Sequence, residues 1–224
     1  MCGRYAITLP PEAMTQLFAA RYEGPAWRPR YNVAPSQTIP IVRMTAEGEP
    51  EIVLVRWGLH PAWMKEPPGA KSMINARSET AAEKPFFRDA LKKRRCLVPA
   101  HGYYEWKREG AAKTPYFICA EDWSLLVFAG LWERWRDPES GEAIETAAIL
   151  TAGAAPSVAH LHDRTPVLLE PEAWGPWLDP RSPKETVGFL IEAAAAQPPL
   201  LEAWPVSTAV NSPANDGPEL LARV

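Results

Sequence analysis

The chain has 224 residues, which suits one domain or at most two small ones, and 46% of them are hydrophobic, enough for a proper core. With 24 Lys and Arg against 27 Asp and Glu, the formal net charge is −3, which excludes a histone-like DNA coat but leaves room for a local basic groove. The sequence holds no run of eighteen apolar residues and no basic segment leading into an apolar run near its start, so neither a membrane span nor a secretory signal is expected.

In chain order, "LPPEAMTQLFAARY" predicts a helix with prolines in its first turn and Met14, Leu17 and Phe18 on one face. "EIVLVRWGL" reads as a strand apolar on both faces, and "SETAAEKPFFRDALKKRR" contains a helix ending in four basic residues, a solvated end that the helix dipole favours. Strand-like runs follow in "RCLVPAHGYYEW", "TPYFICAE", "LLVFAGLWERW" and "AIETAAILTA". "PEAWGPWLD" predicts a short helix with Trp174, Trp177 and Leu178 at helical spacing, "KETVGFLIEAAAA" a second one, and "LEAWPVS" a last strand. Strands gather in the middle and helices at the flanks, without repeating βαβ units. That order predicts an α+β fold with a mostly antiparallel, barrel-like sheet flanked by helices. Twenty-five prolines, about twice the usual share, are spread along the chain and point to stiffened loops rather than disorder. The three cysteines are an odd number without metal-like spacing, and a reducing cytoplasm is their natural home. Cys96 and Cys119 lie in apolar runs and are read as core fillers.

Cys2 is the unusual one. Chain ends fray, whereas cysteine is most often buried. Removal of Met1, favoured by a small second side chain, would leave an α-amine and a thiol on adjacent carbons of Cys2. A terminal amine has a reference pKa near 8, so a useful fraction is neutral at pH 7. An aldehyde meeting this pair can form an imine with the amine, and the thiol can then close a five-membered ring on the imine carbon.

Three further stretches carry polar groups of interest. In "INARSET", Asn75 offers an amide donor and acceptor and Arg77 a fork for phosphate, or the pair is a turn asparagine beside a solvated arginine. In "HGYYEW", a strand would set Tyr103 and Glu105 on one face and Tyr104 and Trp106 on the other. A carboxylate among aromatics loses water, which favours its protonated form and suits a proton donor; the alternative is an exposed strand glutamate. In "HLHDRTP", His162 can shuttle protons and Arg164 can hold phosphate, or the histidine is a loop residue capped by Asp163; His160 is the weaker candidate.

Together, "MCGRY", "YNVAPSQTIPIV", "RWGLHPAWMK", "INARSET", "FRDALKKRRCLVPAHGYYEW", "FAGLWERW", "HLHDRTPVLL" and "VNSPANDGPEL" resemble, in order, the SRAP family of SOS response-associated peptidase-like proteins. The resemblance runs from Cys2 to about Glu219 and implies one SRAP domain over residues 1–224. It implies covalent capture of abasic sites in single-stranded DNA, with Cys2 forming a thiazolidine with the ring-opened sugar. By the same resemblance Asn75 orients the amine and sugar, Glu105 helps open the deoxyribose ring, and His162 handles protons. Arg4, Arg77 and Arg164 would hold phosphates, while Pro40, Trp63, Trp106 and Thr151 would line the DNA path. Thr165 departs from the family, which carries methionine there. Weak abasic-site lyase activity and self-removal of Met1 fit the same chemistry. No metal and no cofactor are expected, no membrane partner, and a monomeric state. The competing reading is a glutamine amidotransferase-like enzyme, which can also begin Met-Cys-Gly with a processed cysteine nucleophile, but it leaves Glu105 and His162 without roles. A non-catalytic single-strand binder would be indifferent to Cys2.

Overall fold

A computed structural model describes residues 2–110 and 112–224. In chain order the elements are β1 (Tyr5–Ile7), α1 (Pro11–Phe18), β2 (Arg30–Val33), β3 (Thr38–Met44), β4 (Pro50–Trp57), β5 (Asn75–Arg77), α2 (Ser78–Ala81), α3 (Arg88–Lys93), β6 (Arg95–Ala100) and β7 (Gly102–Glu109). They continue with β8 (Ala112–Ala120), β9 (Leu126–Arg136), β10 (Ala143–Gly153), β11 (Arg164–Pro166), α4 (Pro171–Leu178), α5 (Lys184–Ala196) and β12 (Leu201–Pro205).

Five strands, β10-β4-β3-β6-β9, close into a barrel because β9 and β10 also pair along most of their length. The pairings are antiparallel except that β4 meets β10 in parallel, so the barrel is mixed. Closure removes the exposed edges an open sheet would leave. Short β5 and β11 extend this sheet along the far end of β10, in parallel and antiparallel register respectively. A second, antiparallel sheet runs β12-β8-β7-β1-β2. The α+β class and the barrel-like core therefore match the sequence expectation.

The two sheets join where "RCLVPAHGYYEW" turns out to be two strands rather than one. At His101 the chain leaves the barrel: its N–H donates to the Ala6 carbonyl at 2.8 Å, and β7 begins in the second sheet at Gly102. Glycine is required there, since a Cβ would stand 2.6 Å from the Ile118 carbonyl oxygen. Tyr5 and Tyr103, opposite each other on β1 and β7, turn inward and meet the barrel edge-on, Tyr5 against Trp57 at 5.3 Å and Tyr103 against Phe128 at 6.0 Å. The alternation expected in this stretch holds. Tyr104 faces the opposite way, into a separate cluster with Phe117, Trp204, Val210 and Leu220.

The helices cover the outside of the barrel. Met14, Phe18, Trp177, Leu178 and Val187 pack on Val42, Leu97, Val127 and Leu150. Leu17, expected on the buried face of α1, is 46% exposed. The basic run also departs from expectation: α3 ends at Lys93, and Arg95 is the first residue of β6 and fully buried. Its guanidinium donates to the carbonyls of Leu91 (2.7 Å), Lys92 (2.8 Å), Trp177 (2.6 Å) and Asp179, tying off the C-terminal ends of α3 and α4. Among the described residues no helix is long and apolar enough to cross a membrane.

Candidate active site

The segment before β1 delivers Cys2 to the junction of the two sheets, where it is 1% exposed. Asn75 begins β5, and its parallel register with Ile149 aims the side chain at this junction; its Nδ2 donates to the Cys2 carbonyl at 2.9 Å. The Asn75 Oδ1 is buried and has no hydrogen-bond partner among the described residues. Burial pushes the Cys2 thiol well above its ordinary pKa, and the nearby Glu105 carboxylate adds to the rise, so the thiol is held protonated at neutral pH. Glu105 lies on β7 on the Tyr103 face and is 3% exposed, the buried alternative rather than the exposed one. His162 is half-buried in the loop before β11; its Nδ1 accepts the Arg164 backbone N–H at 2.9 Å and lies 2.9 Å from an Asp163 carboxylate oxygen. His160 is exposed.

A cleft of about 460 Å³ opens beside this cluster, lined by Glu105, Trp106, Arg108, Lys113, His162 and Asn211. The structure thus brings Glu105 and His162, 57 positions apart, to one opening and attaches Asn75 to Cys2. Asn211 arrives on the C-terminal "VNSPAND" strap. Buried Asn32 on β2 donates to the carbonyls of Val210, Ser212 and Asn215, and Asp216 accepts the backbone N–H groups of Tyr31 and Asn32. Asn211 Oδ1 then accepts the Trp106 indole N–H at 2.8 Å, fixing the ring at the cleft wall. Nothing in the local sequence marks Asn211 as a neighbour of Trp106. Arg108 and Lys113 are also additions: strand period alone sets Arg108 on the face of Trp106.

The residues read as DNA contacts divide sharply. Arg77 and Trp63 are exposed, Trp63 by 61% with an edge-on contact to Phe86. Arg164 is engaged: its guanidinium forks onto Glu79 at 2.6 and 2.8 Å and reaches the Thr151 carbonyl at 2.6 Å, and that pairing holds the Glu79 carboxyl below the usual range. Arg4 donates to Asn32, Val210 and Asn211. Thr151 is fully buried and donates to the Ala76 carbonyl at 3.3 Å. Pro40 is buried in β3 opposite Leu54. Thr165 is buried with its hydroxyl 3.4 Å from the Gly153 carbonyl. Among the described residues no His, Cys, Asp and Glu side chains cluster to hold a metal ion.

The family model for SOS response associated peptidase (SRAP) matches residues 1–213. The chain belongs to the SRAP family. It is 37% identical to the abasic site processing protein YoqW of Bacillus subtilis (strain 168), over 99% of both chains. It is 34% identical to the abasic site processing protein HMCES of Gallus gallus, over 100% of this chain and 78% of that one. A crystal structure of a protein from Bacteroides thetaiotaomicron superposes with a TM-score of 0.85 over the full length of both chains, at 26% identity. The barrel, the second sheet and the junction between them are thus an SRAP scaffold.

Proposed function

We propose that this SRAP protein senses abasic sites in single-stranded DNA and traps them covalently through the amine and thiol of a processed Cys2. The observation that carries the reading is the convergence on one residue. Asn75 holds the Cys2 carbonyl, Glu105 is buried close enough to disfavour the thiolate, and the cleft beside them is shared with His162. The names of the relatives, abasic site processing proteins, support the same substrate. Met1, whose removal the chemistry requires, lies outside the described residues.

The reaction divides among these groups. An abasic sugar is mostly a closed hemiacetal. Glu105 acts as the acid and base that moves the proton from the C1′ hydroxyl to the ring oxygen, opening the ring to an aldehyde. The neutral α-amine of Cys2 adds its lone pair to C1′, and His162 protonates the departing hydroxyl, which leaves as water. The Cys2 sulfur then adds to the imine carbon while its proton passes to nitrogen. Aldehyde, amine and thiol thereby give a thiazolidine and one water. The neutral thiol favoured by burial suits this last step, since the proton the nitrogen needs is still on sulfur. Asn75 orients Cys2 without adding charge. The same imine can undergo β-elimination, giving weak lyase activity, and hydrolysis of the Met1–Cys2 bond by the same groups would release the amine. The protein acts as a monomer on DNA in the cytoplasm, with little sequence preference because no base remains at the lesion.

Borohydride trapping tests the division of labour. With Cys2→Ser, the amine remains and the thiol is gone. The expected result is an adduct seen only after borohydride reduction, whereas the unchanged chain gives a heat-stable adduct without it. A heat-stable adduct from Cys2→Ser would overturn the proposal. Glutamine hydrolysis by the unchanged chain, with no adduct, would favour the amidotransferase reading instead.

A further inference from the structure

Resting on that DNA reading, we propose that Arg108 and Lys113 form a two-cation grip for one backbone phosphodiester of the bound single strand, beside the ring of Trp106. Both residues line the cleft that holds Glu105 and His162. They stand directly opposite each other on β7 and β8, a register that sets their Cβ atoms about 4.5–5.5 Å apart. Like charges so placed repel and weaken the strand pair. Both side chains are exposed, and neither has an ion-pair partner among the described residues. The neighbouring cation is different: Lys107, on the opposite face of β7, is paired with Glu109 at 2.7 Å. A phosphate diester at the cleft mouth would satisfy the Arg fork and the Lys ammonium together and relieve their repulsion.

The contrast with the other arginines points the same way. Arg4 and Arg164 spend their donors on Asn32, Val210, Asn211, Glu79 and Thr151, so seating a phosphate on them would break bonds already made. Arg108 and Lys113 have none to break. The indole of Trp106, two residues before Arg108 on the same strand face, is pinned by Asn211 and gives a base a stacking surface next to the grip. The Glu105 carboxylate in the same cleft is buried, which keeps the phosphate at the mouth and leaves the sugar for the interior.

The test is the salt dependence of binding to an undamaged single-stranded oligonucleotide, followed by fluorescence anisotropy across a potassium chloride series. Each phosphate contact on a single strand contributes about 0.7 to the slope of log affinity against log salt. Because the two cations share one phosphate, the double variant Arg108→Gln/Lys113→Gln should lower the slope by about 0.7, and each single variant by a part of that. Lys107→Gln should keep the slope of the unchanged chain. A melting curve for each variant confirms that the exposed substitutions leave the fold intact. A double variant with an unchanged slope, or Lys107→Gln losing as much as either, would overturn the grip. Capture of an abasic strand by the unchanged chain, scored in parallel, separates the two ideas. Capture with an unchanged slope in the double variant overturns the grip alone, while no capture and no binding overturns the DNA reading and the grip with it.

Discussion

The inner wall of the site and its rim are built on opposite terms. At the wall, Cys2, Asn75 and Glu105 sit where two sheets meet, held by a backbone carbonyl contact, by strand register and by burial. At the rim, Arg108 and Lys113 are exposed, and neither side chain has a hydrogen bond or ion pair among the described residues; the side chains of Trp63 and Arg77, also read as DNA contacts, are exposed and likewise unengaged by hydrogen bonds or ion pairs. The difference teaches that chemistry and affinity are separable here. On the proposed function, fixed groups at low dielectric set the rate of capture. Unengaged groups at the surface await a ligand that makes their contacts for them.

Substitutions on the two sides should therefore fail differently. The largest effect is expected from Glu105→Gln. Positioned proton transfer is worth about 10²-fold or more, so capture at saturating abasic DNA should slow by about that factor in a gel time course. A loss confined to affinity would erase the distinction between wall and rim. Asn75→Ala should slow capture by about tenfold, in line with the about 0.5–1.5 kcal/mol of one net hydrogen bond, because Cys2 is no longer oriented. Trp63→Ala removes an exposed ring outside the wall and should weaken single-strand affinity by about fivefold, the lower end of a base-stacking contribution of about 1–3 kcal/mol, as read by anisotropy. A change in the saturating capture rate instead would move Trp63 to the wall.

The smallest effect is on stability against pH and involves neither side. His101, at the crossing between the sheets, accepts the Thr8 N–H on its Nδ1 at 3.2 Å, and burial lowers its pKa. The folded chain thus favours neutral His101. Its contribution is fully present above the ordinary histidine value near 6.5 and is lost as pH falls below it. The melting temperature should drop modestly in mild acid, and His101→Gln should flatten that dependence.

Much of the architecture was legible because it follows from local periodicity. α5 spans the "KETVGFLIEAAAA" run, and β8, β9 and β10 coincide with apolar runs. Periodicity fails where a long-range partner decides. Arg95 looked like one more cation on a helix end, yet its acceptors include the Trp177 and Asp179 carbonyls on and after α4, more than eighty residues on. Arg164 reads as a phosphate holder from its own stretch, and its fork onto Glu79, 85 positions earlier, is a contact that no local pattern announces. Glu105 and the face it shares with Tyr103 were legible from alternation on a strand. Asn211 was not, because only the strap over β2 carries it to Trp106. Short β1, β5 and β11, three residues each, are too brief for a pattern, although β5 positions Asn75.

The central claim is covalent capture through Cys2, and intact mass tests it most directly. The purified protein is mixed with single-stranded DNA carrying one abasic site, denatured by boiling in detergent, and separated on a gel before the shifted band is weighed. The account predicts a band at the mass of the chain lacking Met1 plus the DNA, less one water. No shifted band from protein confirmed to begin at Cys2 would contradict it.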